Sequence, residues 1–269
     1  MILSIYFYDF VRNAFLIGII LAFISGLLSN FLVLRNQALI GDGLSHISFT
    51  GLTLGLLFFE QPFYIAIPFT ILGAIIIKKI SLNKKINGDA AIGIISSISL
   101  ALGLIIIRLS NGFNSSIEDL LVGNIFTNVT SNIYFSLIIL IITLLFIIIF
   151  YKKLLLMTFD YEYAKFKKIN VKLLDYLISI ITAIFIVIGV RLIGALLISA
   201  FIIFPSIISS NLTKGFLKLI ICSIIVNIIS VIIGIIFSIE FDLPGGSSIV
   251  VIQFILFLIS IIYNKLRGD

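Results

Sequence analysis

The sequence is poor in what a soluble enzyme uses. It has one cysteine, one histidine, no tryptophan and four prolines in 269 residues, and only 11% of it is charged. Ordinary soluble domains carry about 25% charged residues. The lone Cys222 lies in an apolar segment, which excludes an intrachain disulfide and a thiolate metal cluster. A lone histidine, His46, excludes the His-Glu-x-x-His zinc motif. No Gly-Lys dipeptide occurs, so the chain has no phosphate-binding loop and any ATP hydrolysis belongs to another chain. Ile40-Gly41-Asp42-Gly43 is superficially like aspartyl intramembrane proteases, but a second aspartate in matching context is missing. Catalysis within this chain is therefore excluded.

What is present is apolar. Hydrophobic residues make up 61% of the chain and the mean hydropathy is +1.31. Repeated apolar stretches near the length that crosses a bilayer predict an all-α, polytopic transmembrane helical bundle, a single domain over 1–269. Runs such as 133–150 show no alternation, against an outer-membrane barrel. Nine windows emerge: 11–33, 38–58, 62–78, 90–108, 132–151, 172–190, 192–210, 215–238 and 247–264. Gly189, Arg191 and Gly194 interrupt the apolar stretch 172–210, which reads as two short spans or a broken helix. Segment 110–131 is a candidate re-entrant loop, so eight to ten spans are expected. The first window continues to Val33 with no cleavage site, so no cleavable leader is expected. With Lys265 and Arg267 on the cytoplasmic side, only Arg12, Arg108 and Arg191 of the eighteen basic residues fall outside, as the positive-inside rule requires. That orientation explains the +6 net charge without nucleic acid, and puts the C-terminus in the cytoplasm.

Asp42 and His46 carry the candidate chemistry. They stand four apart in an apolar window, hence on one helix face about one turn apart. Ionisable groups inside a span are costly and mark ion or proton paths. Carboxylate plus imidazole suits a divalent transition metal, and affinity order alone does not choose among zinc, manganese and iron. One Asp and one His are too few for a tightly held structural ion, whereas a two-fold axis would assemble two of each. The same pair also fits a buried hydrogen-bonding role, a helix cap, or a proton relay in an ATP-independent carrier. Asp89 is expected to cap a helix. Glu60, Glu118, Asp119, Glu240 and Asp242 fall on the outer side as solvated loop residues or as docking points for a partner. Gly18, Ala22 and Gly26, and Gly51 with Gly55, have the spacing that lets membrane helices approach closely.

The stretch from Arg35 to His46, with Gly41-Asp42-Gly43-Leu44-Ser45-His46 at its end, resembles the permease subunits of bacterial zinc, manganese and iron ABC importers. Further segments are similar in the same order: Asp89-Ala90-Ala91-Ile92-Gly93, Gly123-Asn124-Ile125, Asp160-Tyr161-Glu162-Tyr163-Ala164, Gly194-Ala195-Leu196-Leu197 through Pro205, and Asp242-Leu243-Pro244-Gly245. Departures are Tyr161 where the family usually has proline, Lys168 where it often has glycine, and Ser206 to Ser210 in place of an alanine-rich stretch. The resemblance implies the metal ABC importer permease fold in the bacterial cytoplasmic (inner) membrane, surrounded by lipid. It implies a second copy of the chain, a separate cytoplasmic ATPase and an extracytoplasmic metal-binding protein. It assigns Asp42 and His46 to the metal pathway, with zinc placed first and manganese or iron as alternatives, and no stably bound cofactor. It places ATPase coupling near Ser206 to Lys218, with Ser206, Ser209, Ser210, Asn211, Thr213 and Lys214 as candidates.

Overall fold

A computed structural model describes residues 8–58, 62–81, 88–109 and 123–267. Nine long helices lie where the nine apolar windows fall: α1 (Asp9–Val33), α2 (Ile40–Phe58), α3 (Phe63–Ser81), α4 (Gly88–Leu109), α5 (Thr130–Phe159), α7 (Val171–Ile193), α8 (Ala195–Leu212), α9 (Phe216–Phe241) and α10 (Gly245–Arg267). A short helix, α6 (Tyr161–Phe166), and a 3-10 turn over Ile125–Thr127 complete the described elements, with no strand among them. Eight of the long helices are long and apolar enough to cross a membrane. The ninth, α2, is diluted by Asp42, His46 and small residues, and it is buried by its neighbours instead. Glu60, Glu118, Asp119 and residues 110–122 of the candidate re-entrant segment 110–131 lie outside the described residues.

Packing follows the small residues. Gly18 of α1 faces Val231 and Gly26 faces Ile224, so α1 lies directly against α9. Gly51 and Gly55 of α2 face Ala66 and Pro62, which brings α2 against α3. A methyl at any of these four positions would stand under 3.0 Å from the neighbour. Lipid supplies no hydrophobic drive between helices, so such close approach is what holds the bundle together.

The apolar run 172–210 is two helices. Gly194 breaks it in an extended conformation at φ 93°, which an L side chain rarely adopts. Gly123 packs onto the break so tightly that a Cβ there would come within 2.3 Å of the Gly194 nitrogen. α5, in contrast, runs two turns past its apolar window. Lys152 and Lys153 stay exposed while Leu154 and Met157 remain buried, so the charges end the apolar window but not the helix.

A polar thread runs through the apolar core. Asn30 Nδ2 donates to Ser223 Oγ at 2.8 Å, and Ser223 Oγ and Ser209 Oγ are also 2.8 Å apart. Lower in α9, Asn227 Nδ2 reaches Ser25 Oγ at 2.7 Å and the carbonyls of Ala22 and Phe201 at 3.3 Å. Its Oδ1 accepts from Gln253 Nε2 at 2.8 Å. Pro205 sits inside α8 and has no N–H to give the Phe201 carbonyl four residues earlier. Asn227 supplies that donor from the neighbouring helix.

Asp160 caps α6, its Oδ1 accepting the Tyr163 N–H at 2.8 Å. The motif Asp160-Tyr161-Glu162 is thus a helix start, and Tyr161 occupies the first helical position, where proline is favoured. α6 ends with Lys168 left-handed at φ 59° and the Ile169 N–H on the Ala164 carbonyl at 3.1 Å. That is the closure in which the left-handed residue is usually glycine, the residue the resembling family often has at this position.

Candidate metal path

α2 begins two residues before Asp42, so the carboxylate stands in the first turn, where a helix favours negative charge. Gly41 abuts Ile202 of α8, and Gly43 abuts Ile92 of α4. Thr50 Oγ1 donates to the Ser99 carbonyl and ties α2 to α4. From Ile40 to Thr53, every residue of α2 is buried except Asp42 and His46. Their side chains are 59% and 25% exposed.

His46 Nε2 lies 3.8 Å from Asp42 Oδ1, too far for a hydrogen bond. His46 Nδ1 is buried and has no hydrogen-bond partner among the described residues. Two ligands at about 2.1 Å from one ion in tetrahedral geometry stand about 3.4 Å apart. A small side-chain rotation therefore lets this pair share a divalent cation. No group of three or more His, Cys, Asp or Glu side chains that could hold a metal ion occurs among the described residues. One chain thus offers two ligands and an open side.

Seven residues before Asp42, the chain is held by charge. Arg35 Nη2 and Lys78 Nζ both pair with Oδ1 of Asp175, Lys78 at 3.2 Å. The three side chains are 9%, 7% and 1% exposed, respectively for Arg35, Lys78 and Asp175. Charge counting groups Arg35 and Lys78 with the basic residues at the inner ends of the spans, and both side chains are buried there against Asp175. Asp175 went unnoticed in the sequence, although an acid inside the apolar window 172–190 was the available signal. Outside the spans, burial and then the Asp175 charge push the Tyr161 phenol above its ordinary pKa.

Of the coupling candidates, Ser206 and Ser209 are buried within α8, and Ser209 belongs to the polar thread. No separate helix forms between α8 and α9: Thr213, Lys214 and Gly215 make the whole connection. Ser210 and Lys214 are exposed there, and Asn211 and Thr213 are half-buried. Asn211 bonds Ser260 across to α10 at 3.1 Å. Asp89 lies in the first turn of α4 rather than at its cap, and Asp242 closes α9 in a left-handed conformation. At the opposite end from Arg35, a cavity of about 790 Å³ is lined by Phe63, Asn128, Asn132 and Arg191, the guanidinium 4.2 Å from the Phe63 ring centre.

Residues 7–264 match the model of the ABC 3 transport family. The Manganese import system permease protein ScaB of Streptococcus gordonii is 31% identical over 94% of this chain and 91% of its own length. The "Probable iron transport system membrane protein" of Haemophilus influenzae is 32% identical over 97% of this chain and 96% of its own. Among solved structures, PsaBC from Streptococcus pneumoniae in complex with Fab superposes with a TM-score of 0.85 at 31% identity, covering 96% of this chain and 92% of that one. The chain belongs to the ABC 3 transport family, the permeases of bacterial metal ABC importers that its motifs resemble.

Proposed function

We propose that this chain carries a divalent transition metal across the cytoplasmic membrane, and that Asp42 and His46 contact the ion on its way. The observation that carries the reading is the exposure pattern of α2: over Ile40 to Thr53, only these two ligands are left uncovered. Two ligands with an open side favour a second copy of the chain, whose Asp42 and His46 complete a four-ligand N/O site across a two-fold axis. Partial ligation by each copy also lets the ion leave.

The sequence placed zinc first. Relatives named for manganese and iron move manganese to the front, and carboxylate with imidazole accommodates all three. ATP hydrolysis falls to a separate ATPase, which meets the permease around Ser210, Asn211, Thr213 and Lys214. The buried Ser206 and Ser209 support that surface from within. An extracytoplasmic binding protein delivers the metal to the opposite side. The positive-inside count supports a cytoplasmic C-terminus.

ATP-dependent uptake into vesicles tests the reading, with the ATPase and binding protein present and manganese, zinc and iron as cargo. Wild type is expected to accumulate manganese, and Asp42→Asn/His46→Ala to lose at least tenfold in uptake while assembling normally. Undiminished uptake by that variant would return the pair to helix packing. Uptake independent of ATP would replace the importer with a secondary carrier.

A further inference from the structure

The clasp of Arg35, Lys78 and Asp175 joins three elements at one end of the bundle: the lead-in to α2, the end of α3 and the start of α7. Arg35 and Lys78 share the single oxygen Oδ1, while Arg35 Nη1 is buried without a hydrogen-bond partner among the described residues. Two cations on one carboxylate are a costly way to fill an apolar interior, since apolar residues of similar volume hold a fold as well or better. The clasp is therefore weak evidence of stability.

Its position suggests a role. α1 ends with Asn36 left-handed at φ 55° and the Gln37 N–H on the Leu32 carbonyl at 3.0 Å. The Ile40 N–H then returns to the Gln37 carbonyl at 3.2 Å, and α2 begins. The lead-in is thus a short hydrogen-bonded turn between Arg35 and Asp42. Beside it, Arg35, Asn36, Gln37 and Ile40 line a cavity of about 170 Å³ together with Lys78 and Ser179. Among the described residues, the contact of Arg35 with Asp175 ties the lead-in to α7, and Lys78 brings the end of α3 onto the same carboxylate.

We propose that Asp175 is a positioning residue for the metal path. By drawing Arg35 and Lys78 onto one carboxylate oxygen, it fixes the lead-in of α2 and so sets Asp42 relative to His46. The proposal rests on the reading of that pair as metal ligands. Its mark is affinity for the ion, in a direction that electrostatics opposes. The clasp carries one surplus positive charge, so removing all three charges would by itself favour a bound cation.

The test is manganese binding to the assembled importer in nanodiscs, read by electron paramagnetic resonance of the free ion. Wild type is compared with Asp42→Asn/His46→Ala, with Arg35→Met/Lys78→Met/Asp175→Leu, and with Asp175→Glu. The apolar triple variant is expected to melt like wild type yet bind manganese at least tenfold more weakly. Asp175→Glu keeps the charge, lengthens the clasp by one methylene, and is expected to weaken binding at least threefold even if the triple variant does not fold. Wild-type affinity in a folded triple variant, or in Asp175→Glu, overturns the proposal. If Asp42→Asn/His46→Ala binds as wild type does, the metal reading of the pair fails first and the clasp's role falls with it. Loss in that control with retention in the clasp variants refutes the clasp alone.

Discussion

Replacing Asn227 with alanine perturbs the core at one point whose consequences follow from the hydrogen bonds around it. The two amide hydrogens are shared among Ser25 Oγ, the Ala22 carbonyl and the Phe201 carbonyl, and Oδ1 accepts from Gln253. Ser25 Oγ also donates to the Ala22 carbonyl at 3.0 Å, so those two groups keep each other after the substitution. The Phe201 carbonyl has no such reserve, because residue 205 is proline, and the Gln253 amide loses its acceptor. Interhelical hydrogen bonds in membrane proteins average about 0.6 kcal/mol and reach about 1.7. Two orphaned groups therefore predict a loss of about 1–3 kcal/mol for Asn227→Ala. In a Pro205→Ala background, the new N–H at 205 serves Phe201 within α8, and the cost of Asn227→Ala falls by about 1 kcal/mol. Reversible unfolding of the four proteins in mixed micelles measures that coupling. Distant, independent sites add to within about 0.5 kcal/mol. Additivity at that level would refute the account of Asn227 as the donor that Pro205 lacks.

Other substitutions test other parts of the structure. Lys168 is left-handed, a conformation costing L-residues about 1–2 kcal/mol. Lys168→Gly, after glycine's greater loss of freedom on folding, is expected to gain about 0.5–1 kcal/mol. Hydrogen exchange of the Ile169 amide reads the gain, which Lys168→Ala does not reproduce. Gly26→Ala places a methyl 2.7 Å from the Ile224 Cα and is expected to destabilise by about 1–3 kcal/mol. Gly93→Ala meets nothing within 4 Å and is expected to be neutral or to stabilise by up to about 1 kcal/mol. Melting of the two purified variants side by side decides whether close approach at Gly26 is as tight as described.

Apolar windows in the amino-acid sequence mark the position and order of the long helices among the described residues, within an expected eight to ten spans, because a membrane span must satisfy its backbone internally and face lipid with apolar side chains. The sequence also singled out Asp42 and His46, since two ionisable groups one turn apart are conspicuous in an apolar window. Boundaries were less legible where charge and helix part company, as at Lys152 and Lys153 of α5. What tertiary structure decided was which polar groups meet. Arg35 and Asp175 are 140 residues apart, and Asn30 and Ser223 are 193 apart. Apolar windows record how much of a helix is greasy, but not which way each side chain points. The structure therefore made Arg35 and Lys78 buried partners of Asp175, and it put Ser206 and Ser209 inside the bundle. It also left Asp42 and His46 as the uncovered face of a buried helix. Spans follow from local solvation, which composition encodes. The site depends on contacts between helices, which only the packed chain fixes.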